Sequence, residues 1–496
     1  MNYNGNNSPT PSRIGQIKSI PSEENRPSVV PNQKPGRQFL DQNANQRMAS
    51  PNGGPGGMWK GSSNASASTN YASPLLMYAV MFLGLIVAAY YFLIYKKRRI
   101  DPGQAKFIIL TLLCVGLLLR ISAATLVAGH SFDISTFKSW ATAAANNLFQ
   151  VYSTSRSIDY PPLYMYILFL IGKIGSIPAM SPYYTLLLKL PSIIADIATS
   201  YLIYKLARKY LSLELSILLS AFYIFNPAII INSTFWGQVD SFFTLIIVGA
   251  VLALSELRIG LASALFMAAI LMKPQGIIFL PVLFFELLRQ KNLKNFIKAA
   301  VCALGTAAII VLPFSLHNDV LWIFKLFAKT VGEYPYASVN AFNLFSLLGA
   351  NYKSDAATWL ILSYHTWGMI FIVLVTAYSW FIYIKGNSSR FIPAVALLQI
   401  VGVFTLATSM YERYLFPAAA LAILAFIYLR DKRLLFLAGG FSTSIYINTH
   451  VVLFGTIQDS PTLIITSLFN VLLLAYLMKV LFDIAIKKVP MVLRNV

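Results

Sequence analysis

Between about residue 73 and residue 488 the chain alternates continuous apolar stretches, most of them roughly 18 to 25 residues long, with short polar breaks, and such a stretch crosses a bilayer as a helix. The stretches are unbroken, without the apolar and polar alternation of segments of about ten residues that a membrane barrel needs. An all-helical membrane fold is therefore expected, because only helices satisfy their own backbone groups one segment at a time in lipid. Spans are predicted over 73–95, 106–129, 183–204, 214–233, 236–255, 259–273 and 275–288. A further one ends near residue 315; others cover 357–384, 389–409 and 411–429, and two more finish before Lys487. This makes about 13 in all. One apolar run, 160–182, breaks the alternation of sides if it crosses, and is expected to lie along the membrane surface. Ahead of it Phe137, Trp140, Ala141, Ala144, Leu148 and Val151 recur at helical spacing opposite Lys138, Asn146 and Asn147, predicting a second surface helix.

Charge turns this pattern into a topology. With 39 Lys and Arg against 18 Asp and Glu the net charge is +21, yet the basic residues cluster in short breaks between spans. The clusters are Lys96 to Arg99, Lys205 to Lys209, Arg258, Arg289 to Lys298, Lys385 to Arg390, Arg430 to Arg433, and Lys487 with Lys488. All fall on one side of the predicted spans, as cytoplasmic loops do. The excess therefore orients the chain and does not call for a nucleic acid partner. It leaves outer loops at 130–182 and 316–355, a cytoplasmic tail at 489–496, and an outward N-terminus. At 57% hydrophobic and 11% charged residues, the sequence has too little polar surface for a water-soluble fold. Residues 1–73, rich in Asn, Ser, Pro and Gly, are expected to be a disordered polar tail and not a signal peptide. Cys114 and Cys302 both lie in apolar runs and offer neither a disulfide framework nor a metal site. The four histidines show no paired metal-ligand spacing, so no metal and no cofactor is expected.

The same topology brings Asp133, Asp159, Asp240, Lys273, Gln275, Glu412 and Arg413 to the outer ends of spans and loops. One ionisable group at a span end snorkels cheaply; several acids and bases at one face suggest a site. Asp159, in Ile158-Asp159-Tyr160-Pro161-Pro162-Leu163, reads either as a general base or as a cap of the surface helix that the prolines introduce. Asp133 carries the same two readings at the start of its own helix. Asp196, inside a span, lies two helical turns from Lys189 and reads either as its structural partner or as a catalytic residue, with the pairing expected. Tyr334, Tyr336, Asn340 and Asn343 in the second outer loop suit either sugar contacts or an interfacial aromatic belt.

Asp159-Tyr160-Pro161-Pro162-Leu163 resembles the DYPPL motif of the dolichyl-phosphate-glucose glucosyltransferases of N-glycan assembly and of bacterial polyprenyl-phosphate-sugar transferases sharing the GT-C membrane fold. The resemblance runs from about residue 120 to 430. It adds Phe132-Asp133, Ile194-Ala195-Asp196, Trp236-Gly237-Gln238-Val239-Asp240, Met272-Lys273-Pro274-Gln275 and Met410-Tyr411-Glu412-Arg413-Tyr414. It implies that the essential carboxylate sits in the first outer loop, with Asp159 as base and Asp133 lining the same cavity. Arg413, with Tyr411 and Lys273, would face the donor phosphate, while Glu412, Asp240, Gln238 and Gln275 position substrate. Family members often carry histidine where this chain has Tyr411, which can still donate a hydrogen bond to phosphate.

The implied function is inverting transfer of a hexose, glucosyl or mannosyl, from a polyprenyl-phosphate carrier to a glycan, glycolipid or protein of the cell envelope, at the extracytoplasmic face of a bacterial plasma membrane. Such a donor already carries a leaving group, so the enzyme needs a base on one side of the anomeric carbon and a cation on the other. Arginine's planar fork suits the second task. A lipid-linked-sugar transporter or flippase is the competing expectation, although transporters keep their sites near the midplane between repeats and no motif is duplicated between the halves of this chain.

Overall fold

A computed structural model describes residues 70–155, 157–455 and 461–491. The expected disordered tail lies outside these residues except for its last positions, where Ala72 already opens the first helix. Of the expected C-terminal tail, 489–491 are described.

The chain forms sixteen helices of ten residues or more among the described residues: α1 Ala72–Tyr90, α2 Ala105–Leu126, α3 Ser131–Asn146, α4 Leu163–Gly175, α5 Tyr184–Tyr210, α6 Leu213–Ile224, α7 Asp240–Ser255, α8 Ile259–Ile270, α9 Leu280–Gln290, α10 Leu293–Ser315, α11 Trp322–Val331, α12 Tyr364–Gly386, α13 Ile392–Leu406, α14 Ala418–Leu429, α15 Lys432–Leu453 and α16 Pro461–Ala485. Among the described residues eight helical segments are long and apolar enough to cross a membrane, and the chain is a multi-pass helical membrane protein. Helices occupy every position where a span is expected, but α7, α8, α9 and α14 have only 11 to 16 residues. The α12 helix starts at Tyr364 and not at 357, because β1 Thr358–Trp359 and β2 Leu362–Ser363 pair as a short antiparallel hairpin in front of it.

Burial sorts the helices into shells. Every residue of α14 from Ala418 to Tyr428 is buried, as is α13 from Ile392 to Thr405; the alanines of α14 let neighbouring backbones approach closely. The α1 and α10 helices instead expose Leu76, Met77, Val80, Ile309 and Leu312, the side chains expected of a lipid-facing layer. Helices form at both positions expected for surface helices, the second over Leu163–Gly175 and not the whole of 160–182. Phe137, Trp140, Ala141 and Ala144 of α3 are buried while Asn146 is exposed, and α4, at 13 residues, would reach only about 20 Å as a helix. They pack closely: a Cβ on Gly172 would stand 2.1 Å from the Ala141 carbonyl oxygen.

Ion pairs collect at the basic end of the bundle. Arg99 and the Ile100 N–H meet Glu214, Lys209 meets Glu256 at 3.0 Å, and Arg433 bridges Asp431 and Asp483 at 2.8 and 2.9 Å. Lys488 reaches the Lys385 carbonyl oxygen. From this end α2 runs to His130, α8 runs to Lys273, and α7 runs back to Asp240. The basic loops and the acidic cluster thus occupy opposite ends of the same helices.

One expected contact is not formed. Lys189 does not pair with Asp196; it donates to the carbonyl oxygens of Val127 and Ala124, and Asp196 takes Arg120 of α2 at 3.1 Å. The physical reason is partner quality: a buried carboxylate needs a cation with a fixed geometry, and the guanidinium on the facing helix supplies it.

Candidate functional site

The site is assembled from five stretches of chain. His130 caps α3, accepting from the Asp133 N–H at 3.4 Å. Asp133 thus occupies the first turn of α3, where a carboxylate is favoured, and is not the cap. Its Oδ2 accepts from Trp236 Nε1 at 2.5 Å, faces His130 Nδ1 at 3.1 Å and lies 3.8 Å from Arg413 Nη1. Trp236 ends a π-helical turn, Ile231–Trp236, and Gly237 follows in the left-handed region at φ 86°. That turn delivers Asp240 to the start of α7. Asp240 accepts from Asn232 Nδ2 at 3.0 Å, pairs with Lys273 Nζ, and stands 3.9 Å from Arg413 Nε.

Arg413 is the hub. Glu412 holds its Nη1 at 2.7 Å, and its guanidinium carbon lies 5.2 Å from the Trp236 ring centroid and 5.8 Å from that of Tyr411, within cation–π range. Its Nε is buried without a hydrogen bond. The Tyr411 backbone is fixed by bridges to Val339 and Asn340 of the second loop, and its ring meets Tyr334 edge to face at 5.2 Å.

Asp159 approaches from the other side of Tyr160. It does not cap α4, whose N-cap is Pro162 with no side-chain hydrogen bond. The Thr330 hydroxyl of α11 donates to the Asp159 carbonyl oxygen at 2.7 Å, and Tyr152 donates to the Tyr160 carbonyl oxygen at 2.7 Å. Lys273 Nζ lies 5.5 Å from the Tyr160 ring centroid, and the phenol is within electrostatic reach of Arg413, Asp240, Asp159 and Asp133. Tyr160, next to Asp159 in the chain, is thus the residue of this loop whose ring meets the cationic cluster.

The two acids are electrostatic opposites. Burial by itself would raise Asp133, but Arg413, His130 and the Trp236 N–H outweigh it and hold the carboxyl well below its usual range. Burial, and after it the carboxyl of Glu333, pushes Asp159 up to about 7, against smaller opposing effects of its own backbone N–H and Lys329. Its Oδ1 is buried and has no hydrogen-bond partner.

The structure thus brings Asp133, Asp240, Lys273, Glu412, Arg413 and Tyr411 into direct or relayed contact; Asp159 does not join these contacts and faces Glu333, while its chain neighbour Tyr160 meets Lys273. Gln238 and Gln275 are buried at the edge of the group, both polar atoms of Gln238 and Nε2 of Gln275 lacking partners. Asn343 does not face outward: buried, it caps a short turn and donates to the carbonyl oxygens of Phe404 and Ala407. Asn340 is likewise engaged, by Asn351 and Tyr352. Sequence reading gave no role to Glu333, Asn232 or the His130 cap. Only His130, directly ahead of an acid-bearing first turn, carried a local signal. Among the described residues no three His, Cys, Asp or Glu side chains are grouped to hold a metal ion. No protein-family model matches the chain, and no curated protein matches its sequence significantly.

Proposed function

We propose that this protein is an inverting glycosyltransferase that moves a hexose from a polyprenyl-phosphate carrier to an acceptor hydroxyl at the extracytoplasmic face, within a bundle of about 13 spans in a bacterial plasma membrane. The observation that carries this reading is the buried cluster in which Asp133, Asp240 and Glu412 hold Arg413 and Lys273, with Tyr160, the chain neighbour of Asp159, against Lys273, at the end of the bundle opposite the basic loops. The motif around Asp159 supplies the substrate class by resemblance.

In this reaction Asp159 takes the proton of the acceptor hydroxyl as the acceptor oxygen bonds to the anomeric carbon. The bond from that carbon to the phosphate oxygen breaks, and the electron pair leaves on the polyprenyl phosphate beside Arg413. A base with a pKa near the working pH is the efficient one, and a preorganised guanidinium stabilises developing phosphate charge. Asp133, fixed as an anion between Arg413, His130 and Trp236, orients the arginine.

The test is transfer by purified protein from undecaprenyl-phosphate glucose and from undecaprenyl-phosphate mannose to delipidated envelope glycan. Release of undecaprenyl phosphate with an inverted glycosidic linkage is expected, falling about 10² to 10⁴-fold in Asp159→Asn. Transbilayer movement of either lipid without any transfer would replace this reading with a flippase.

A further inference from the structure

Fully buried charges also lie outside the acidic cluster. Arg120 and Asp196 are both completely buried, paired at 3.1 Å between α2 and α5. An isolated ion pair in this position is costly and contributes little to stability compared with apolar side chains of the same volume. Ionisable groups within membrane helices are retained mainly where they act. Neither residue touches the acidic cluster directly, but one segment links the two. Ser233 donates from Oγ to Asp196 Oδ2 at 2.7 Å. Its neighbour Asn232 donates to Asp240, and Trp236, three residues on, donates to Asp133. All three lie in the π-helical turn Ile231–Trp236, a rare form of helix that occurs frequently at functional sites.

We propose that Arg120 and Asp196 are positioning residues that set the rotation of this turn through Ser233, and so aim Trp236 at Asp133 and Asn232 at Asp240. The inference rests on the glycosyltransferase reading for its consequence, but its mechanical part does not. The pair is a fixed anchor because both members are held from more than one direction: Arg120 Nη1 also donates to the Gly116 carbonyl oxygen at 3.2 Å. Without the Ser233 link the turn is free to relax toward ordinary α-helical winding, which rotates the Trp236 N–H away from the carboxylate. Displacements of about 1 Å at such a group can cost on the order of 10²-fold in rate.

Ser233→Ala removes the link and leaves the ion pair paired. The full-length protein labelled with 5-fluorotryptophan reports on Trp236 by its ¹⁹F resonance, assigned by its loss in Trp236→Phe. We expect the resonance to move in Ser233→Ala and to return in Ser233→Thr, which restores the hydroxyl. In the transfer assay kcat should fall about tenfold or more with donor KM little changed. A joint Arg120→Met and Asp196→Leu replacement, which leaves no unpaired charge, should reproduce the displaced resonance. An unmoved resonance in folded Ser233→Ala overturns the proposal, as does a moved resonance with unaltered kcat. Absence of transfer by the unaltered protein rejects the glycosyltransferase reading alone, since the resonance still decides whether the anchor aims Trp236.

Discussion

Asp133 and Asp159 are carried by neighbouring stretches of one loop, yet the groups facing them are of opposite kinds. Asp133 faces a guanidinium, an imidazole and an indole N–H; Asp159 faces Glu333. If Asp159 is the base, kcat/KM should rise with pH through about 7, because only its ionised form accepts a proton. Glu333→Gln removes the facing charge and should move that midpoint to lower pH, which a pH-rate profile reads directly. An unmoved midpoint would assign the limb to another group. The stability sign runs the other way: a carboxyl whose folded pKa lies above its unfolded value of 3.8 loses stability as pH rises from about 4 to about 7. Asp159→Asn should therefore unfold at a temperature no lower than the native protein at pH 8, despite being inactive. A cap would behave differently, since it stabilises its helix by roughly 1 kcal/mol, and Asp159 caps nothing. Arg413→Lys keeps the charge but not the fork that spans Glu412, Asp133 and Asp240. Transfer should fall about tenfold or more, as expected when one charge-assisted contact is weakened, and wild-type turnover in the lysine variant would reduce Arg413 to an interfacial anchor.

At the scale of elements, the site depends on two short helices, α3 and α4, of 16 and 13 residues. The α4 helix approaches α3 so closely at Gly172 that a methyl group there meets the Ala141 backbone. Backbone cannot step aside as a flexible side chain can, so Gly172→Ala should lower stability by about 1 to 3 kcal/mol. It should also loosen the loop that carries both Asp133 and Asp159. Thermal unfolding in detergent measures the first effect; an unchanged midpoint would mean the two helices can separate freely. The buried face of α3 was legible from the spacing of Phe137, Trp140, Ala141 and Ala144, since a 3.6-residue period is a local signal. Trp322 and Leu326, one turn apart and both buried, mark α11 in the same way, but the run is short and sits inside a polar loop. The partner of Asp196 was not legible: sequence spacing reports neighbours on one helix, and Arg120 is 76 residues away on another. Glu333 against Asp159 is hidden for the same reason, as it depends on how two loops meet.

At the scale of the whole molecule, the separation of charge along the helices bears on orientation. The basic loops bind their few acids at one end, through Glu214, Glu256, Asp431 and Asp483, whereas Asp133, Asp159, Asp240 and Glu412 gather at the other. Lysine and arginine clusters of this kind stay on the cytoplasmic side during insertion, where anionic lipids also attract them. By this rule the acidic end is expected to face outward, and a lipid-linked donor can be used there only if its headgroup is on that side. Exposed positions at each end allow a direct test in a background lacking the two free thiols, Cys114 and Cys302. Ser131→Cys and Lys353→Cys should react with an impermeant maleimide on intact cells, and Lys97→Cys and Lys291→Cys only after the membrane is opened. The buried site residues themselves are poor reporters, since Lys273 and Glu412 are each only 4% exposed. The reverse labelling pattern would put Asp159 in the cytoplasm, where nucleotide sugars are made, and would remove the reason to expect a polyprenyl-phosphate donor at all. The expected pattern, combined with a silent Asp159→Asn variant, would keep the orientation and withdraw the catalytic role, so the two experiments separate where the site is from what it does.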